Sequence, residues 1–144
     1  MSNINPDEIA AALRTVVTRL IKKLRKQSAI AQQLSLTMRS TIAMLYQTEM
    51  LPSELAAAEK ITNQSMSQIL NHLQQLGFIN RKTSATDKRK VLVTLSAKGE
   101  DFLLQMRSER NMWLSRAIAQ TCNTHEQELL LNAIAPLTKL IDFE

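Results

Sequence analysis

Between Thr83 and Gly99 the sequence TSATDKRKVLVTLSAKG places three cations, Lys88, Arg89 and Lys90, directly after a lone acid, Asp87. Cations at this density suit a polyanionic partner, and an Asp-x-Arg spacing lets one carboxylate accept hydrogen bonds from the guanidinium two residues on. The chain carries a formal net charge of +5. Residues 77 to 99 hold six basic side chains (Arg81, Lys82, Lys88, Arg89, Lys90, Lys98) against that single acid, so the entire excess sits in this stretch. A second basic block, Arg14, Arg19, Lys22, Lys23, Arg25 and Lys26, is offset by the acidic C-terminal third and reads as the wet face of a helix.

The stretch TNQSMSQILNHLQQLG, Thr62 to Gly77, holds none of Asp, Glu, Lys or Arg. Apart from His72 its polar groups are amides and hydroxyls, among them Asn63, Gln64, Ser65, Ser67, Gln68 and Asn71. Glutamine and asparagine can pair bidentately with adenine, which points to half-sites containing A·T pairs.

Other chemistry finds few residues to work with. His72 and His125 stand far apart, and no His/Asp/Glu cluster has ligand spacing, so no metal and no cofactor are expected. There is no nucleophile and base pair, carboxylate pair, glycine-rich phosphate loop or zinc signature, so the chain does not read as an enzyme. The single cysteine, Cys122, cannot form an internal disulfide and reads as a packed thiol in a reducing compartment. No apolar run approaches the roughly 18 residues that span a bilayer, and the N-terminus lacks a signal-peptide pattern. A cytoplasmic protein with no membrane partner is expected. At 144 residues and 44% hydrophobic, residues 1–144 form one domain's worth of chain.

The elements that must position these groups are mostly helical, since the chain has only two glycines and three prolines. Ile9, Leu13, Val16, Leu20 and Leu24 form one stripe of a first helix, from Asp7 to about Ile30. Thr37 is the expected cap of a second helix through Leu45 and Tyr46, and Pro52 opens a third, PSELAAAEK. Thr62 then starts a fourth after a tight turn that contains Lys60. Met66, Ile69, Leu70, Leu73 and Leu76 share the apolar face of this helix, and Gly77 ends it. FINRKT and KVLVTLS are the strand-like runs, with the polar SATDKR as a hairpin loop between them. Ser96 caps a fifth helix, Ala97 to about Gln120, and a leucine-rich sixth, from about His125 to Leu140, is expected to kink or break at Pro136.

Helix, turn, helix, glycine stop, strand, basic loop, strand is the order of a winged helix-turn-helix, which can set its second helix in a major groove and its hairpin along the backbone or in the minor groove. The stretch SELAAAEKITNQSMSQILNHLQQLGFINRK…TDKRKVLVTLSAKG resembles the MarR family of bacterial transcriptional regulators. Its most specific part is Asp-x-Arg, an alternating strand and Leu-Ser-x-x-Gly, here Asp87, Arg89, Leu95, Ser96 and Gly99. The resemblance implies a homodimer joined by helices at about 7–30 and 100–144, with a DNA-binding lobe at about 35–99. It further implies a pseudo-palindromic operator and repression relieved by a small effector or by oxidation. In that family the wing arginine enters the minor groove and the preceding aspartate orients it, roles that fall on Arg89 and Asp87.

The expected interface with double-stranded DNA therefore has two parts. Asn63, Gln64, Ser65, Ser67, Gln68 and Asn71 face the bases, while Arg39, Lys60, Arg81, Lys82, Lys88 and Lys90 neutralise phosphates. The alternative is a winged helix that binds protein and not DNA.

Overall fold

Helices in this chain begin where a side chain can take an unpaired amide. In the computed structural model, which describes residues 3–144, Asn5 accepts the Asp7 amide at 3.0 Å and opens α1 (Pro6–Arg25). The spacing of apolar residues carries this helix to about Ile30, but it ends at Arg25. The side-chain amides of Gln27 and Gln32 donate to the carbonyls of Lys23 and Arg25 at 2.9 and 3.0 Å, and the buried Ser28 hydroxyl accepts the Ala31 amide at 3.2 Å. Such local bonds compete with the helical ladder. Here they wind the chain into a 3-10 turn, Ala31–Gln33, that delivers Leu34 to the core.

With Leu34 buried, the next turn falls at Ser35. Ser35 and not Thr37 caps α2 (Leu36–Gln47), accepting the Met38 amide at 3.2 Å. α3 (Pro52–Glu59) begins on Pro52, with Glu54 reaching back to the Leu51 amide at 2.9 Å. α4 (Asn63–Gln75) is capped by Thr62 and stopped by Gly77, whose φ of 79° lies in the left-handed region that only glycine enters without strain.

β1 (Ile79–Thr83) and β2 (Val91–Leu95) pair antiparallel, Ile79 opposite Leu95 and Thr83 opposite Val91. Met50 bonds to Val93 through both its amide and its carbonyl, at 3.2 and 2.8 Å, so the link between α2 and α3 adds a short third edge to the hairpin. Ser96 caps α5 (Ala97–Thr121) by accepting the Gly99 amide at 3.0 Å. Asn123 and Glu126 form a capping box on α6 (Thr124–Ile141). The break expected at Pro136 does not occur, and α6 runs through it. The proline removes one helical amide, and the residue four positions back, Asn132, is itself exposed.

The core lies under the winged lobe. Ile42 and Leu45 from α2, Leu55 from α3, Met66, Leu70 and Leu73 from α4, Ile79 and Val93 from the hairpin, and Phe102, Leu103 and Met106 from the first turns of α5 close around one another. Phe78 packs on Phe102 with ring centroids 4.7 Å apart, which locks the end of the hairpin onto α5. α1 and α6 bury none of their residues and leave Ile9, Val16, Leu130, Leu131 and Ile134 open. Among the described residues, no helix is long and apolar enough to cross a membrane.

Candidate nucleic-acid interface

The turn between α3 and α4 uses a backbone conformation that a side chain opposes. Lys60 sits at φ 55° and ψ 44°, in the left-handed region, at a cost of about 1–2 kcal/mol for a residue bearing a Cβ. Its amide bonds to the Ala57 carbonyl at 3.2 Å, that of Ile61 bonds to Ala56 at 3.1 Å, and Ile61 packs on the core. These contacts hold Lys60 in place, and its ammonium stands exposed between the two helices.

α4 divides as its spacing requires. Met66, Leu70 and Leu73 are buried, while Asn63, Gln64, Ser67, Gln68 and Asn71 are exposed. Ser65 is already engaged, because its hydroxyl and its amide both bond to Thr62 Oγ1 at 3.0 Å. Among the described residues, the side chains of Asn63, Gln64, Ser67 and Gln68 make no hydrogen bond, so their donors and acceptors are free for a ligand. Asn71 differs: its Oδ1 accepts from Arg81 Nη2 at 3.0 Å.

The wing loop is built around one buried hydroxyl. Ser84 Oγ accepts the amides of Thr86 and Asp87 at 3.3 and 3.4 Å and lies 3.1 Å from Thr86 Oγ1, while the Ser84 amide donates to the Lys90 carbonyl at 2.9 Å. This turn presents Asp87 to Arg89. The carboxylate accepts the Arg89 amide at 3.1 Å, Nε at 3.2 Å and Nη2 at 3.4 Å. The Arg89 side-chain bonds, then its backbone bond, hold the Asp87 carboxyl below the usual carboxylate range; burial opposes this and Lys90 adds to it. Arg89 remains 91% exposed, so the brace orients the guanidinium without covering it.

The base of the wing meets the helix-turn-helix in a cleft of about 420 Å³, lined in part by Ser53 at the start of α3, Asn63 and Ser67 on α4, and Lys90 on the wing. Lys88 is exposed beside Arg89. The other expected phosphate contacts are placed less simply. Strand neighbours point to opposite faces, and Arg81 accordingly turns to α4 while Lys82 turns to Glu49 at 2.6 Å. Arg39 donates from Nε to the Leu34 carbonyl at 3.0 Å. Its guanidinium pKa is lowered by burial and then by Arg25, and that of Arg110 by burial, Arg39 and Arg25. Arg39, at the start of α2, thus stands near Arg25 of α1 and Arg110 of α5.

Two residues at this surface escaped the sequence reading. Ser53 carried no signal beyond its place in the first turn of a helix. Ser84 did carry one, since a serine three residues before an aspartate in a polar loop can form a side-chain turn.

Together these features present a neutral face of donors and acceptors flanked by exposed cations, the two components of groove and phosphate recognition. Fold and surface define a winged helix-turn-helix protein. A family model described as the MarR family matches residues 34–91. The chain is 30% identical over 135 residues to an uncharacterized HTH-type transcriptional regulator of Mycobacterium leprae, covering 93% of each. It is 32% identical to a Pseudomonas aeruginosa protein of known crystal structure, with a TM-score of 0.79 over 98% of this chain and 99% of that one. A Staphylococcus aureus MepR mutant bound to an oligodeoxyribonucleotide shares the fold, with a TM-score of 0.68 at 19% identity over 92% and 95% of the two chains. The chain belongs to the MarR family and is a DNA-binding transcriptional regulator.

Proposed function

We propose that the protein works as a homodimeric repressor of a pseudo-palindromic operator, each subunit setting α4 in a major groove and its wing against the adjoining minor groove. One observation carries the DNA-facing part of this reading: a single cleft joins Lys90 of the wing to Ser53, Asn63 and Ser67, so a wing cation and the reading face stand on one surface. Arg89, Lys88, Lys90 and Lys60 meet phosphate or the narrow groove with Asp87 as a brace, and Gln64, Ser67 and Gln68 read bases. A protein of the same fold bound to an oligodeoxyribonucleotide supports DNA as the ligand.

The dimer is supported by the open apolar faces of α1 and α6. Leu131 is 74% exposed and Ile134 59%, and a surface of this kind is covered by a partner more often than by water. Control follows from the same geometry. A small effector in the cleft of about 740 Å³ beside Met112 and Trp113 on α5 would favour a subunit arrangement whose recognition helices no longer sit about 34 Å apart. Two buried polar atoms lack a hydrogen-bond partner among the described residues, Glu109 Oε2 and Arg110 Nε. Glu109 lines that cleft.

The test is selection of DNA fragments by the purified protein, followed by sequencing. Enrichment of an inverted repeat with half-site centres about 10 base pairs apart is expected. Recovery of no common sequence, or of an isolated half-site, contradicts the proposal.

A further inference from the structure

The recognition helix is without charge, yet one guanidinium is fastened to it. Arg81 comes from β1 and donates from Nη2 to Asn71 Oδ1 at 3.0 Å. We propose that Asn71 reads no base: it is a positioning residue that holds Arg81 beside α4, where the arginine binds a backbone phosphate at the rim of the groove. The inference rests on the DNA-binding function and divides the work of two residues within it.

Four observations lead there. To read adenine, an asparagine must accept from N6 through Oδ1 and donate to N7 through Nδ2, and in Asn71 one of the two lone pairs of Oδ1 is already taken by Arg81, which ties the amide plane to the strand. Position agrees: recognition helices touch base edges with their N-terminal residues, and Asn71 lies about 12 Å along the axis from Asn63 at the helical rise. Gln64, Ser67 and Gln68 all come before it. Strand parity then isolates Arg81 as the cation on the α4 side of β1, because Lys82 is turned to Glu49.

The nature of the partner completes the case. The ion pairs among the described residues are Lys82 with Glu49 and Arg89 with Asp87. Arg81 is held instead by an amide, which orients a guanidinium without cancelling its charge. Of the five N–H donors of the planar fork one is used, leaving a set that matches two phosphate oxygens. Both residues are exposed, and a solvent-facing bond of this kind adds little to folding. Its worth is orientation.

The experiment measures binding of the wild-type dimer and of Asn71→Ala, Arg81→Ala, the double variant and Gln68→Ala to the operator, to its single-base variants and to random duplex, over a range of salt. Arg81→Ala should weaken every duplex by a similar factor and reduce the slope of log Kd against log salt by about two, one for each subunit. Asn71→Ala should weaken every sequence about three- to tenfold per half-site, the scale of one hydrogen bond, and add nothing further once Arg81 is gone. Thermal midpoints should be unchanged, and only Gln68→Ala should alter base preference. An Asn71→Ala protein with a changed preference at one base pair, or with a loss that multiplies with that of Arg81→Ala, overturns the inference while leaving the DNA-binding function standing. Wild-type protein that binds no duplex would overturn both.

Discussion

Replacing Asp87 with alanine removes a negative charge from a surface that meets a polyanion, and binding should nevertheless weaken. The carboxylate holds Arg89 through its amide at 3.1 Å, Nε at 3.2 Å and Nη2 at 3.4 Å. With Arg89 91% exposed, the pair does little for folding, and its effect is restraint. Full rotamer freedom of an arginine is worth about 2 kcal/mol, a factor of about 30 in a binding constant. Two long side-chain bonds on an exposed fork restrain part of that freedom, which sets the loss on deletion at about three- to fivefold. Relief of repulsion from phosphates opposes this, but screening over about 8 Å at physiological ionic strength limits it to less than about twofold. Operator affinity, read by fluorescence anisotropy of a labelled duplex, should therefore fall about two- to fourfold, and the gap should narrow at low salt. In an Arg89→Ala background, itself weaker by about 1–3 kcal/mol, removing Asp87 should tighten binding. The Asp87 carboxyl is held below its usual range by Arg89, so the ionised brace persists as pH falls to mildly acidic values and is lost only below the usual carboxylate pKa of about 4. The difference between Asp87→Ala and wild type should accordingly be flat from about pH 5.5 to 8. An Asp87→Ala protein that binds more tightly than wild type with Arg89 intact refutes the brace and leaves simple charge counting.

Lys60→Gly removes a left-handed cost of about 1–2 kcal/mol and incurs about 0.5–1 kcal/mol of unfolded-state entropy, so the thermal midpoint should rise by a few degrees while DNA affinity falls slightly. A midpoint that drops would show that the lysine side chain has a packing role. Gly99→Ala should lower the unfolding free energy read from urea denaturation by about 1–3 kcal/mol, because the added carbon would meet the Phe78 carbonyl oxygen and lie 2.8 Å from Leu95 Cδ1. The Phe78 carbonyl is fixed by the Ser96 amide at 2.9 Å and cannot easily yield. Leu131→Glu combined with Ile134→Glu should give a folded species of half the mass in sedimentation, with operator binding lost. An unchanged dimer mass would place the subunit contact elsewhere.

The helix-turn-helix and wing were legible because each boundary carries its own local signal. Thr62 caps, Gly77 and Ser96 turn, and Val93 alternates into the core between exposed or half-buried neighbours. The end of α1 was not legible, since Gln27, Ser28 and Gln32 stop it through side-chain bonds that apolar spacing does not report. Ser35 displaced Thr37 as a cap for a tertiary reason, the burial of Leu34. At Pro136 only the break failed to form, because one missing amide bond does not end a helix whose neighbouring turns hold. At the interface, Arg81 and Lys82 look alike in sequence and part company only when strand parity is referred to Asn71 on one face and Glu49 on the other. Arg39 likewise needed Arg25 of α1 and Arg110 of α5 to be placed.

Whether this surface binds DNA is decided by the salt dependence of duplex binding by the wild-type protein. Six to ten phosphate contacts predict that affinity falls by about 10³ to 10⁵ between 50 and 200 mM salt. A response that stays flat over that range would contradict a DNA-binding role for this surface and point to a protein as its partner.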